Sequence, residues 1–360
     1  MYSQLIEWSR HNRLTRLLNG QRPADELASA LRGRTSNLDD IGDFILAHVV
    51  PVRGPLALIS QVHRSGGSLL SQLFDGHPAL AAYPNELKIG HPTPEDWPPL
   101  EPELGAEKCF LMLYEPRDVR FVRKGYVKGE RSVERLPFFN VPALHHRIFT
   151  TSFAANPPRS QREIIDLYFT AYFNAWLNYQ GDLSQKKWIT AFAPRFAQRE
   201  LSVSEFFRCY PDGRLIQIVR DPRTWYPSAK HHNSNLKRSD PDDVQGLLAL
   251  WMSSANSILE NKSRYGDKVI VLRFEHLVGN TEGALRSLAT QLDIPWDPAL
   301  LQPTFNGRNM VANSSFEVSD KGVSGAPLKR EALLSPDERA AIEAQCMSLY
   351  DQAAALDRAA

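Results

Sequence analysis

The stretch Leu56-Ala57-Leu58-Ile59-Ser60-Gln61-Val62-His63-Arg64-Ser65-Gly66-Gly67-Ser68-Leu69-Leu70 carries more information than any other part of the chain. A short apolar run, read as a buried strand, stops at a basic loop of glycines and hydroxyls. A helical pattern over residues 68–74 begins straight after it, and Gly76 and Pro78 end that helix. This order gathers backbone N–H groups, a helix N-terminus, hydroxyls and a fixed cation around one point, which suits an anion such as a phosphate. The G-x-x-x-x-G-K-[ST] spacing of a Walker loop is absent, so ordinary ATP or GTP hydrolysis is not the first reading.

The stretch belongs to a chain of 360 residues with no Ser/Gly linker, low-complexity tract or internal repeat, which favours one large domain with peripheral additions. A formal net charge of +1 argues against wholesale nucleic-acid binding, so attraction for anions has to come from local clusters. Cys109, Cys209 and Cys346 fit neither a disulfide framework nor a zinc site, which points to a reducing compartment. The first residues hold no apolar signal-peptide core, and no apolar run approaches about 18 residues. A soluble, cytoplasmic protein is expected.

Further strands are expected at Leu215-Ile216-Gln217-Ile218-Val219, after a Pro-Asp-Gly turn, at Lys268-Val269-Ile270-Val271-Leu272, and at the shorter Trp188-Ile189-Thr190. Helical patterns cover residues 162–179, 244–259 and 282–292, and Ser335-Pro336-Asp337-Glu338 is a helix start with a capping Ser. Strands alternating with such helices predict an α/β fold with a P-loop-like parallel sheet covered on both faces. Residues 1–50 read as an amphipathic helical extension, with Leu14, Leu17, Leu18, Leu27 and Leu31 at helical spacings, and residues 51–360 as the α/β domain. Within that domain, residues 88–161 are rich in proline and aromatics. They are read as a variable lid over an acceptor pocket, poor in regular core elements.

A second site is written at Val219-Arg220-Asp221-Pro222-Arg223-Thr224-Trp225-Tyr226-Pro227-Ser228. Arg220 stands at the carboxyl end of a strand, where doubly wound sheets bind their ligands, and Ser228 follows one or two helical turns on. An Arg with a hydroxyl suits a terminal phosphate; an Arg–Asp ion pair and a helix cap at a strand end are the plainer alternative.

Together the two sites resemble the sulfotransferases that use 3′-phosphoadenosine 5′-phosphosulfate (PAPS). Arg64-Ser65-Gly66-Gly67-Ser68-Leu69 is similar to that family's R-S-G-[TGS]-[ST]-L loop, and Arg220-Asp221-Pro222-Arg223 with Ser228 to its R-D-P-R strand end. Leu73-Phe74-Asp75-Gly76-His77-Pro78, Val271-Leu272-Arg273-Phe274-Glu275-His276-Leu277, Asn313-Ser314-Ser315-Phe316 and Lys321-Gly322-Val323-Ser324-Gly325 also look like family segments. His276 stands where the family often has Asp, and no Lys precedes Pro194, where Arg195 follows instead. The likeness spans about residues 55–84 and 187–350.

The resemblance implies sulfuryl transfer from PAPS to an acceptor hydroxyl, on a carbohydrate, lipid or other small molecule, with release of adenosine 3′,5′-bisphosphate and no metal. Arg64 would steady the leaving phosphate, and Ser65 with the N–H groups of Gly66, Gly67, Ser68 and Leu69 would hold the 5′-phosphate. Arg220 and Ser228 would select the 3′-phosphate, and Lys321-Gly322 would close over the nucleotide. By the same likeness Glu86 is the candidate base, its plainer alternative being a solvated carboxylate. His77 reads as structural and Lys108 as an exposed lysine. Trp225 reads as an adenine platform or as packing, and Tyr168, Tyr172, Trp176 and Tyr179 read as core. His145-His146 and His231-His232 diverge too far to share a metal. Two other readings stay open: a nucleotide kinase of P-loop type, and a non-catalytic nucleotide-binding or scaffold protein.

Overall fold

The run Leu56–Ile59 is buried at every residue, so a strand formed there must be covered on both faces. A computed structural model describes residues 37–114, 125–127, 135–236, 243–312 and 322–358. Helix α1 (Asn37–Ala47) precedes β1 (Leu56–Ile59), α2 (Gly67–Phe74) and β2 (Leu80–Glu86). Three helices follow, α3 (Gly105–Leu113), α4 (Pro142–Ala155) and α5 (Gln161–Asn174), and then β3 (Trp188–Phe192), α6 (Glu200–Cys209) and β4 (Arg214–Val219). The chain continues through α7 (Pro222–Leu236), α8 (Val244–Tyr265), β5 (Val269–Arg273), α9 (Phe274–Gly279) and α10 (Thr281–Gln291), and later α11 (Pro336–Gln345) and α12 (Met347–Ala354).

The five strands form one sheet in the order β2-β3-β1-β4-β5, every neighbouring pair parallel. Alternation of side chains divides the core. Ala57, Ile59, Ile216, Ile218, Ile270 and Leu272 pack with α2, α9 and α10 on one face. Leu56, Leu58, Leu215, Val269 and Val271 pack with α5, α6 and α8 on the other. The expected α/β architecture with a parallel sheet flanked by helices is therefore present. No helix among the described residues is long and apolar enough to cross a membrane.

The structure departs from expectation in several places. Strand β2, Leu-Ala-Ala-Tyr-Pro-Asn-Glu, was not expected from a sequence of low β propensity with an internal proline; it is tolerated because β2 lies at the sheet edge. Helix α5 ends at Asn174, short of the expected 179, and α8 runs on to Tyr265. The proline-rich stretch is less irregular than expected. Pro142 opens α4 instead of breaking it, and Cys109, Phe110, Leu113, Ile148 and Phe149 of α3 and α4 are buried in the core. Leu14, Leu17, Leu18, Leu27 and Leu31, Asn313-Ser314-Ser315-Phe316 and Lys321 lie outside the described residues. Helix α1, the described part of the extension, is tied to α4 by an ion pair between Asp43 and Arg147.

At the amino end of β4, Arg162 of α5 forks onto Asp212 at 2.8 and 3.0 Å, and the Tyr210 hydroxyl donates to Asp166 at 2.7 Å. Burial pushes the Asp166 carboxyl up to about 6, against the pull of Tyr210 and Arg162. The folded state thus holds that proton more tightly than the unfolded chain does. The stabilisation it contributes is full below the usual Asp range and is lost as pH rises through about 6. Asp166→Asn is expected to flatten the decline in unfolding free energy across this range, measured by urea titration at a series of pH values; an unchanged decline would assign it to other groups.

Candidate functional site

Every strand of a parallel sheet ends on the same side, so the loops after β1, β2 and β4 converge. After β1 the chain is held from several directions. Ser60 N–H donates to Ile216 O at 2.9 Å, Val62 N–H to Ser254 Oγ at 3.0 Å, and Trp225 Nε1 to His63 O at 2.7 Å. Arg64 takes a left-handed φ of 67° and Gly66 one of 100°, which swings the loop into α2. A Cβ on Gly66 would lie 2.6 Å from the Phe274 ring, and one on Gly67 would collide with the Gln61 amide and the Phe192 ring. The cap residue Gly66 makes no side-chain bond to the first turn of α2, so the helix N-terminus keeps its donors for another acceptor.

Arg220, one residue beyond β4, crosses to this loop. Its Nη1 donates to Arg64 O at 2.7 Å, its Nε to Thr224 Oγ1 at 3.0 Å, and its Nη2 to Thr224 O at 2.7 Å and Ser228 Oγ at 3.3 Å. The Phe274 ring lies under the guanidinium, 4.3 Å from ring centroid to Cζ. Burial and the neighbouring Arg330 push Arg220 down to about 9, while Glu275 opposes the shift. Arg64 is lowered to about 10 by burial, with Glu86 opposing. Both remain cations at neutral pH. Buried cations gathered this closely make a site that attracts an anion.

The structure thus brings Arg64, Ser65, Gly66, Gly67, Arg220 and Ser228 together, with Ser68 and Leu69 in the first turn of α2. Glu86 ends β2, beside Phe192 of β3, near enough to Arg64 to act on its charge. Its side chain is 43% exposed and pairs with Lys88 at 3.0 Å, so it is neither buried nor adrift. Gly322 pairs with Val311 in a single parallel bridge. Asp221 is taken up by Arg223, at 2.6 Å, so the ion-pair alternative holds for those two residues but not for Arg220.

The plainer readings also find their places. His77 is buried, its Nε2 3.0 Å from Pro295 O, and Lys108 is exposed on α3. Trp225 is fully buried behind the loop, and Tyr168, Tyr172 and Trp176 are core, with Tyr179 packed against it. Arg195 pairs with Glu95. His145 is buried beside Tyr168 while His146 meets Glu107, and among the described residues no three His, Cys, Asp or Glu side chains group to hold a metal.

Three contributors were not assigned from the sequence. Phe274 and Glu275 lie in the Val271–Leu277 segment, whose sequence signals no role for either. Phe274 fills the space beside Gly66, and Glu275 accepts from Asp221 N–H at 3.0 Å and from the Tyr350 hydroxyl at 3.2 Å. Arg330, in the 3-10 helix Ala326–Leu333, donates to Ser228 Oγ at 2.8 Å, and no motif marked it.

Residues 55–298 match the family described as the sulfotransferase family. A stretch of 127 residues, 35% of this chain, is 23% identical to protein-tyrosine sulfotransferase A of Caenorhabditis elegans. It spans only 33% of that protein's length. The fold is similar to the sulfotransferase domain of the Synechococcus PCC 7002 olefin synthase, with a TM-score of 0.53 and 20% identity over 85% of this chain and 96% of that one. A sulfotransferase domain from the curacin biosynthetic pathway is similar over 82% of this chain and 98% of that one, at 18% identity and a TM-score of 0.48.

Gly66→Ala is expected to lower the unfolding free energy by about 1–3 kcal/mol, because the left-handed backbone disfavours a side chain and Phe274 occupies its space. Denaturant titration measures this, and a neutral effect would remove the Gly66–Phe274 packing as a constraint on the loop.

Proposed function

The chain belongs to the sulfotransferase family, and from that premise we propose that it transfers a sulfuryl group from PAPS to an acceptor hydroxyl, releasing adenosine 3′,5′-bisphosphate. The observation that carries this reading is the bond from Arg220 Nη1 to Arg64 O, 2.7 Å, which joins two strand-end loops into one cationic site. The residues suit a nucleotide with anionic groups at two positions. Arg64 Nε and Ser65 Oγ are buried without a hydrogen-bond partner among the described residues, which is costly unless a ligand supplies acceptors.

PAPS supplies the sulfuryl group and a phosphate that departs with increased negative charge. The N–H groups at the start of α2 and the Ser65 hydroxyl hold the 5′ end, and Arg64 stabilises the charge that develops as the phosphate leaves. Arg220 and Ser228 hold the 3′-phosphate, distinguishing it from a bare ribose hydroxyl. Glu86 takes the proton from the acceptor hydroxyl at a carboxylate oxygen, and Lys88 orients that carboxylate. In this reading α3 and α4 face the acceptor side, and the segment that follows Gly322 lies by the nucleotide. Carbohydrate, lipid-linked and other small-molecule alcohols are the acceptor classes to screen with labelled PAPS.

Calorimetry is expected to show adenosine 3′,5′-bisphosphate binding more tightly than ADP. Equal binding of the two, or no binding of the bisphosphate, would overturn the reading. Arg64→Ala and Arg220→Ala should each weaken bisphosphate binding about 10- to 100-fold, as for the loss of a charged hydrogen bond. With an acceptor found in the screen, Glu86→Gln should leave binding intact and lower turnover by about 100-fold or more. Unchanged turnover would dismiss Glu86 as the base, and binding without transfer to any acceptor would favour a scaffold.

A further inference from the structure

Arg330 plays no part in that scheme, yet several separate contacts bring its guanidinium to Ser228. Helix α11 starts at a full capping box, in which Ser335 Oγ accepts from Glu338 N–H and Glu338 accepts from Ser335 N–H. The other oxygen of Glu338 takes Lys230 Nζ of α7 at 2.9 Å, so the start of α11 is pinned to the helix that carries Ser228. Just before it, Ala326–Leu333 packs along α7, and Arg339 Nη2 holds Glu331 O at 3.2 Å. Arg220 Nη2 reaches the same segment at Pro327 O, 3.4 Å away.

The outcome is a hydroxyl flanked by two guanidinium groups. Ser228 Oγ receives Arg330 Nη1 at 2.8 Å and Arg220 Nη2 at 3.3 Å, and donates to Thr224 O at 3.2 Å. Arg330 is only 8% exposed. Burial and the charge of Arg64 lower it to about 10, and Arg330 in turn lowers Arg220. Like charges brought together under little water repel, and a dianion between them relieves that repulsion. A planar fork matches phosphate oxygens in a way that a neutral hydroxyl does not.

We propose that Arg330 is a specificity-determining ligand of the nucleotide 3′-phosphate, delivered by the Ala326–Leu333 segment to the hydroxyl that Arg220 also holds. This inference rests on the PAPS reading of the site. A nucleotide phosphorylated only at the 5′ position makes no use of Arg330, so the residue contributes to discrimination and not to nucleotide affinity in general.

The test is calorimetry of the full-length protein with adenosine 3′,5′-bisphosphate and with adenosine 5′-monophosphate, comparing wild type, Arg330→Ala, Arg330→Gln and Arg330→Lys. Arg330→Ala is expected to weaken bisphosphate binding about 10- to 100-fold while leaving the monophosphate within about twofold, with Lys intermediate. Circular dichroism melts identify the folded variants, and Gln, which keeps most of the length, serves in place of Ala if Ala does not fold. Unchanged bisphosphate binding, or an equal loss for both nucleotides, overturns the role of Arg330 and leaves the PAPS reading standing. A wild-type protein with no preference for the bisphosphate overturns both.

Discussion

The guanidinium of Arg220 is almost wholly out of water, and the acceptors it reaches are neutral: the carbonyls of Arg64, Thr224 and Pro327 and the hydroxyls of Thr224 and Ser228. Such a cation is stable only where dipoles and nearby carboxylates replace its hydration. Glu275 and Asp221 provide that charge at close range without capping the guanidinium, since Asp221 is held by Arg223 and Glu275 by Asp221 N–H and Tyr350. The bond to Arg64 O then sets the position of the loop after β1. Much of the open end of the sheet follows from how this one buried charge is satisfied.

The sheet order makes the arrangement possible. With β1 and β4 adjacent and parallel, the loop after one and the arginine after the other leave the sheet side by side. On the far side of β4, β5 leads into α9 and places Phe274 under Arg220 and against Gly66. Two indoles fix the backbone from behind: Trp225 donates to His63 O and Trp251 to Arg220 O, at 2.7 and 3.0 Å. Rigid packing of this kind lets donors point at an acceptor with little reorganisation, which is how electrostatic catalysis gains its strength.

Legibility differed with the type of signal. The strands β1, β4 and β5 are short apolar runs after turns, a pattern that burial on both faces imposes directly on composition. Strand β2 carries no such pattern, because an edge strand tolerates alanine and Pro84, and its place comes from pairing with β3. The prolines of residues 88–161 suggest irregularity, but Pro142 sits in the first turn of α4, where a missing N–H breaks no intrahelical bond. Arg330 was invisible for a different reason. A single arginine in a polar segment has no local signature, and its role comes from meeting a serine 102 residues away.

What the sequence by itself determined is the local chemistry: a strand, a glycine loop and a helix start in one order, and a second strand ending in an arginine eight residues before a serine. Those features depend on φ/ψ preferences, turn chemistry and side-chain period, all of which act over a few residues. Only the tertiary structure decided that the two pieces share one site, that Phe274 supports both, and that Glu86 comes within electrostatic reach of Arg64. Charge, burial and strand order act between residues far apart in the chain, so their outcome appears only after the sheet has closed its register.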